Sequence, residues 1–290
     1  MAKFDFRRDV WEPLRSHVSV DDGLPVYSCG HWTIDKLFVL GHYLSFVTRT
    51  MHGKGFVSLN YVDLFCGPGV DVVRGMNVNP RHPGSPLLAA AAPRGFDRIM
   101  LADQTTENVE AADQRVRGMA TGSELLTWDD DANVAISDIA RAIPDHSLTV
   151  AFIDPYSVGG VKMATISRLA ARGAVDLLVL FADRMDAGRN LSYYASGQSA
   201  KLDEFLGEGA DWRTRYGRLD SHQPDRVREF LSNVFQDQLG KLGYHCFRTK
   251  AIRSERGPLY RLIYASKHEA GLNFWDTASK YDRDGSRGLF

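Results

Sequence analysis

The chain has 290 residues, 44% of them hydrophobic and 24% charged, with 11 prolines; this excludes a wholly disordered or collagen-like polymer and fits one large domain with insertions. Lys+Arg 35 against Asp+Glu 36 leaves a net charge of -1, so no global basic field marks a nucleic-acid binder and no acidic surplus marks a basic partner.

Short apolar runs alternate with helical patterns along most of the chain, the signature of a parallel sheet with right-handed crossovers. Residues 33–51 carry a broad apolar stripe behind a possible cap at Thr33 and predict a helix packed on the sheet. Residues 57–65, 98–102, 148–153 and 175–181 read as strands, each ending beside an acid, a glycine or both; 125–127 is a further short apolar run. Residues 85–92, 107–119, 133–143 and 161–172 read as the intervening helices. The rhythm breaks over 183–221, a polar, glycine-dotted stretch with Tyr193, Tyr194, Trp212 and Tyr216, read as an insertion. A helix over 225–242 follows, with Pro224 near its first turn, and 244–249 and 259–266 form a terminal antiparallel pair separated by 250–258. The predicted class is α/β, a mostly parallel seven-stranded sheet with a terminal antiparallel hairpin and an insertion after the fifth strand. Residues 1–55 form a helical extension packed on the core, and 56–290 form one domain with its insertion at about 183–221.

The amino terminus has no apolar run of the kind that opens a secretory leader, and no segment approaches the length of a membrane span. Cys29, Cys66 and Cys246 are odd in number and irregularly spaced, which predicts free thiols in a reducing cytoplasm. Cys29-Gly30-His31 and His245-Cys246 lack the spacing of a zinc finger, so no metal is expected.

The strongest signal is Asp63-Leu64-Phe65-Cys66-Gly67-Pro68-Gly69, an acid near a strand end followed by two glycines that let a ligand approach the backbone. In open α/β sheets such a turn lies at the carboxyl ends of the strands, where ligands bind. It is neither G-x-G-x-x-G nor a P-loop, but resembles motif I of class I S-adenosylmethionine (SAM)-dependent methyltransferases. The resemblance implies cofactor contacts from Asp63, Phe65, Cys66, Gly67, Pro68 and Gly69. It implies ribose contacts from Asp103 with Gln104 beside it, and adenine contacts from Asp131 and Ala132. On residue chemistry alone, Asp103 is equally a strand-end acid on a solvated rim, and Asp131 a helix cap.

Phe152-Ile153-Asp154-Pro155-Tyr156 resembles the Asp/Asn-Pro-Pro-Tyr/Phe motif of amino-methyltransferases acting on nucleic-acid bases, and more closely an Asp-Pro-Phe variant of some RNA guanine methyltransferases. Asp154 and the Pro155 carbonyl can orient an exocyclic amine while Tyr156 stacks on the base, which makes Asp154, Pro155 and Tyr156 the catalytic candidates, Asp154 also bordering the cofactor. The alternative is a strand-ending turn with Tyr156 as packing. Cytosine C5 methylation is set aside because no cysteine follows a proline, and Cys66 sits in the glycine turn.

Residues 33–44, 61–69, 84–87, 152–156 and 259–275, in this order, resemble the three-Cys-motif partner family, whose name points to a three-Cys-motif protein as a partner. The resemblance implies a class I methyltransferase fold with SAM as cofactor. Ser85 and Lys267 are candidate substrate contacts, with an N-cap and a solvated strand end as the alternatives. Arg213 and Arg215 interleave with Trp212 and Tyr216, and Arg248, Lys250, Arg253, Arg256 and Arg261 cluster near the terminal hairpin. Such patches can track nucleic-acid phosphates or form a solvated, salt-bridged surface. Three readings therefore stand: a SAM-dependent methyltransferase acting on an exocyclic amine of a nucleic-acid base, one acting on a small molecule, peptide or protein with 183–221 as a lid, and a non-catalytic SAM-binding partner of another enzyme.

Overall fold

The computed structural model describes residues 4–182, 187–188, 190–254 and 257–280. After a π-helical turn at Arg7–Trp11 come α1 (Glu12–His17), β1 (Tyr27–Cys29) and the long α2 (Trp32–Met51). β2 (Leu59–Asp63) runs through the glycine turn into a short hairpin, β3 (Val70–Val73) and β4 (Arg81–Pro83), and then into α3 (Ser85–Ala90). The alternation continues with β5 (Arg98–Ala102), α4 (Thr106–Gly118), β6 (Glu124–Trp128), α5 (Ala132–Ala142), β7 (Leu148–Ile153), α6 (Met163–Ala170) and β8 (Ala174–Phe181). The short helices α7 (Leu191–Ala195), α8 (Lys201–Leu206) and α9 (Trp212–Gly217) precede α10 (Pro224–Lys241), β9 (Cys246–Ser254), β10 (Gly257–Ser266) and α11 (Glu269–Ala278).

The main sheet has seven strands in the order β6-β5-β2-β7-β8-β10-β9. β10 runs antiparallel to both β8 and β9, and the remaining pairs are parallel. This is the α/β class expected from the alternation of runs. Strand order reverses between β2 and β7, since the chain builds outward through β5 and β6 and then returns to add β7 and β8 on the other side. A crevice for a ligand opens at the carboxyl ends of strands at such a switch.

Continuous apolar runs are needed here because both sheet faces are covered. Tyr61, Phe152, Leu178 and Tyr264 pack on one face with α2, α3, α4 and α11. Val62, Ile153, Val179 and Phe181 pack on the other with α5, α6, α8 and α10. A buried polar junction ties α2 to the sheet: the Tyr43 hydroxyl donates to Asp176 Oδ2 at 2.7 Å, and burial raises the Asp176 carboxyl above its ordinary range. No helix of the described residues is long and apolar enough to cross a membrane.

Several details differ from expectation. α2 begins at Trp32, and Thr33 is buried in its first turn rather than capping it. The chain leaves the glycine turn into β3, which pairs with β1 and β4 in a separate three-stranded sheet that local periodicity over three- and four-residue strands is too short to reveal. The terminal strands extend towards each other across the residues assigned as a spacer, because Ile252 points into the core and continues the alternation of β9. Leu191, Tyr194, Leu202, Phe205 and Trp212 of the 183–221 segment are core residues, so the segment is anchored by apolar burial. Residues 183–186 and 189 of that segment lie outside the described residues, as does Arg256 of the basic cluster.

Candidate functional site

Asp63 closes β2 with its carboxylate fully buried. It accepts from the Tyr61 hydroxyl at 2.9 Å and the Phe65 amide at 3.2 Å, and the Ser85 hydroxyl also bonds to it. Burial outweighs these donors and pushes Asp63 up to about 7. Ser85 therefore lines the floor as a partner of Asp63 at the start of α3. The turn beyond is left-handed at Gly67 (φ 56°) and Gly69 (φ 86°), which requires glycine. Cys66 is buried, its amide donates to the Ala102 carbonyl at 2.9 Å, and its thiol is raised by burial, so its role is packing. The buried Pro68 presents its carbonyl to Arg115 of α4, which also binds Asp22 and the Pro25 carbonyl. This brace between the turn and the amino-terminal segment has no local sequence signal, because its partners are far apart in the chain.

Gly84 seals the turn from the other side, donating its amide to the Gly69 carbonyl at 2.8 Å. A Cβ on Gly84 would lie 3.0 Å from the Gly69 carbonyl carbon and oxygen, so the turn would have to move. Gly84→Ala is expected to cost about 1–3 kcal/mol through overpacking and to weaken any ligand held on the turn, as measured by urea unfolding and calorimetry.

At the end of β5, the Asp103 carboxylate accepts from the Gly67 amide at 3.0 Å, the Thr105 amide at 3.0 Å and the Asn108 side chain at 3.1 Å. Asp103 is thus joined to the glycine turn, while Gln104 beside it is exposed. Asp131 caps α5, its Oδ1 accepting from the Asn133 amide at 2.8 Å and the Asn133 side chain at 2.9 Å; the cap reading holds for this oxygen. Ala132 is buried beneath it.

Asp154 follows β7 directly, facing β2 across the switch. Its partner is Lys36 of α2; the two side chains are 12% and 18% exposed, and the Lys36 ammonium lies 5.9 Å from the centre of the Phe152 ring. Pro155 is buried against Gly160, on which a Cβ would contact Pro155 and the Phe65 ring, so Phe65 and Pro155 form one wall. Tyr156 is 83% exposed, which removes the packing alternative and leaves its ring available beside Asp154. Asp71 of β3 joins this group; burial pushes it up to about 7, with the Lys36 charge pulling it down and Asp154 and Asp63 raising it. Tyr27 of β1 and Tyr260 of β10 feel the charges of Lys36 and Asp154. Neither Lys36 nor Asp71 is singled out by the sequence reading. Their only local signals are an ionisable residue in an apolar helix and an acid in the run Val70–Val73.

Of three further expected substrate contacts, two are paired within the chain and the third lies at the opposite end of the sheet. Arg213 donates to Asp203 and to the Tyr194 carbonyl and stacks over Trp212 at 4.6 Å, and Arg215 pairs with Asp237 at 2.8 Å. Acids of neighbouring helices pair with both. Lys267 donates to the Ala170 carbonyl at 2.6 Å and the Gly173 carbonyl at 3.4 Å. It follows β10, whose antiparallel register puts its end beside the start of β8, opposite the site. Arg248 likewise pairs with Asp276 at 2.8 Å, and Lys250 donates to the Ser279 carbonyl at 3.0 Å. Arg213, Arg215, Arg248 and Lys250 are thus each paired within the chain, as in a salt-bridged surface.

No family model matches the chain, and no curated protein matches it. Among solved structures it is similar to protein LPL1258 from Legionella pneumophila, at 10% identity and TM-score 0.54, over 89% of this chain and 95% of that one. It is also similar to an O-methyltransferase from Bacillus cereus in complex with S-adenosylhomocysteine, at 9% identity and TM-score 0.48, over 87% and 89% of the two chains. A further similar structure is magnesium protoporphyrin IX methyltransferase from Synechocystis, at 18% identity and TM-score 0.41, over 88% and 93%. The seven-stranded α/β architecture, Rossmann-like with one antiparallel strand near its edge, is thus a fold this chain shares with the Legionella protein.

Proposed function

We propose that the chain is a SAM-dependent methyltransferase acting on nitrogen, with an exocyclic amine of a nucleobase as acceptor. The observation that carries this reading is the joining of three carboxyls, Asp63, Asp71 and Asp154, with one ammonium, Lys36, at the switch point beside the exposed Tyr156. The residues present fit the cofactor: the glycine turn admits close backbone approach, Asp103 offers a carboxylate for a ribose, and buried Asp63 gains from a cationic neighbour. SAM supplies an electrophilic methyl group on a sulfonium sulfur. The chain holds the acceptor: Asp154 accepts from the amine, the Pro155 carbonyl helps orient it and Tyr156 stacks on its ring. A carboxylate floor favours positive charge arriving on nitrogen and disfavours an anionic oxygen acceptor.

A second reading, a free small aromatic amine as acceptor, is favoured by the neutralised arginines Arg213, Arg215 and Arg248. Salt separates the two, because binding to a polynucleotide weakens steeply with salt and binding to a small amine does not. The free thiols Cys29, Cys66 and Cys246 support a cytoplasmic setting, and the family resemblance supports a three-Cys-motif protein as partner.

Calorimetry with SAM and S-adenosylhomocysteine is the primary test, and failure to bind either one overturns the reading. The pH dependence has a definite sign. Asp63 and Asp71 titrate at about 7, so below that pH they are neutral, and a cationic ligand must displace protons. SAM affinity is expected to rise as pH increases through 7, by up to about tenfold per unit for each proton released, and to level off above it. The neutral sulfur of S-adenosylhomocysteine should give a smaller rise. Without ligand the same carboxyls stabilise the fold at low pH, and this contribution falls from pH about 4, where unfolded carboxyls ionise, up to 7.

A further inference from the structure

Lys36 reaches the site from α2, which precedes the first strand of the main sheet. Burying an ammonium costs solvation that only close opposite charge restores. Here the charge comes from Asp154 after β7 and Asp71 of β3, and both hold the Lys36 ammonium in its charged form against the opposing effect of burial. The other ionisable groups facing this point are Asp63 of β2, Tyr27 and Cys29 of β1, Tyr260 of β10 and, beside Asp154, Tyr156. Lys36 bonds Asp154 through Oδ2, and among the described residues no bond reaches Oδ1.

We propose that Lys36 is a positioning residue of the acceptor site, its ammonium fixing Asp154 Oδ2 so that Oδ1 meets the acceptor amine, and its charge balancing Asp71 on the same floor. The assignment rests on Asp154 being the amine-binding group. The amino-terminal helix is then a working part of the site, and its register against the sheet sets where the acceptor sits.

The test uses the full chain with Lys36→Met and Lys36→Arg, with urea unfolding to establish that each variant is folded. A first readout needs no acceptor: carbon-13 NMR of the Asp71 carboxyl, which titrates at about 7 in the parent chain. Lys36→Met should move that midpoint up by about one unit, and Lys36→Arg should restore it. An unmoved midpoint overturns the proposal. The second readout is methyl transfer from tritiated SAM to adenosine and to a single-stranded oligonucleotide containing all four bases. Lys36→Met should lower kcat by about 100-fold and shift the acid limb of the pH profile upward, with SAM affinity within about twofold of the parent chain at about pH 9, where these carboxyls are ionised in both. Parent-like kcat in Lys36→Met, in a chain that Asp154→Ala inactivates, overturns the proposal and reduces the pair to a structural one. Parent-like kcat in Asp154→Ala instead overturns the amine-binding role of Asp154 and with it the positioning of Oδ1, whatever the NMR midpoint shows. If the parent chain methylates neither probe, the nucleobase assignment fails and the Asp71 titration decides the charge-balancing role.

Discussion

Asp154→Ala is expected to lower methyl transfer by at least about 100-fold, because the acceptor amine loses the group that aims its lone pair, while SAM binding measured by calorimetry persists. The variant also leaves the Lys36 ammonium without its partner in a site where that side chain is 12% exposed. Removing one member of such a pair costs about 3–5 kcal/mol at full burial and less here, so unfolding midpoints must accompany the rates. Asp154→Asn keeps one acceptor oxygen, for Lys36 or for the amine but not both, and should fall between the parent chain and Asp154→Ala in rate and stability. Persistence of parent-level transfer in Asp154→Ala would place the chemistry elsewhere on the strand ends.

The largest stability effect is expected at Trp275, far from any chemistry. Its side chain is 2% exposed and stacks on Tyr264 with ring centres 5.2 Å apart; Tyr43 packs on both rings. Tyr43 in turn donates to buried Asp176. Gly271 permits the arrangement, because a side chain there would collide with the Tyr264 hydroxyl. Trp275→Ala should destabilise the fold by about 3–5 kcal/mol, read as a fall in the urea midpoint at constant slope. The SAM affinity of the folded fraction should be unchanged, since α11 packs on α2, β9 and β10; a lost affinity would show that α2 transmits the damage to Lys36.

Local signals and long-range encounters divide along one physical line. β5 and β7 have the bounds read from their apolar runs, and the helices end within a few residues of expectation, because periodicity and strand-end signals are local. The glycine turn was legible for the same reason: an acid and two glycines within seven residues state their own geometry, and Gly67 and Gly69 have positive φ as such a turn demands. Asp131 shows the limit of local reading, since its cap and its ligand role use the same carboxylate and the sequence left both open. Exposed Tyr156 shows what burial adds, since the same residue type packs the core at Tyr61.

Charge pairing is not legible locally. Arginines lie close to aromatics along the chain, but the Arg213, Arg215 and Arg248 partners Asp203, Asp237 and Asp276 come from 10 to 28 residues away. A side chain's net field depends on which opposite charge the fold brings within a few ångströms, and composition reports only the sum. That sum, a net charge of -1, excluded a globally basic protein and still does. By itself the sequence determined the α/β class, the order of the main-sheet strands along the chain and the glycine turn with its acids, all set by neighbours a few residues apart. Tertiary structure alone decided that Lys36 and Asp71 meet Asp154, that Arg115 braces the turn and that Lys267 lies at the opposite end of the sheet. These are encounters between segments that share no local pattern and are brought together only when burial of both sheet faces closes the fold.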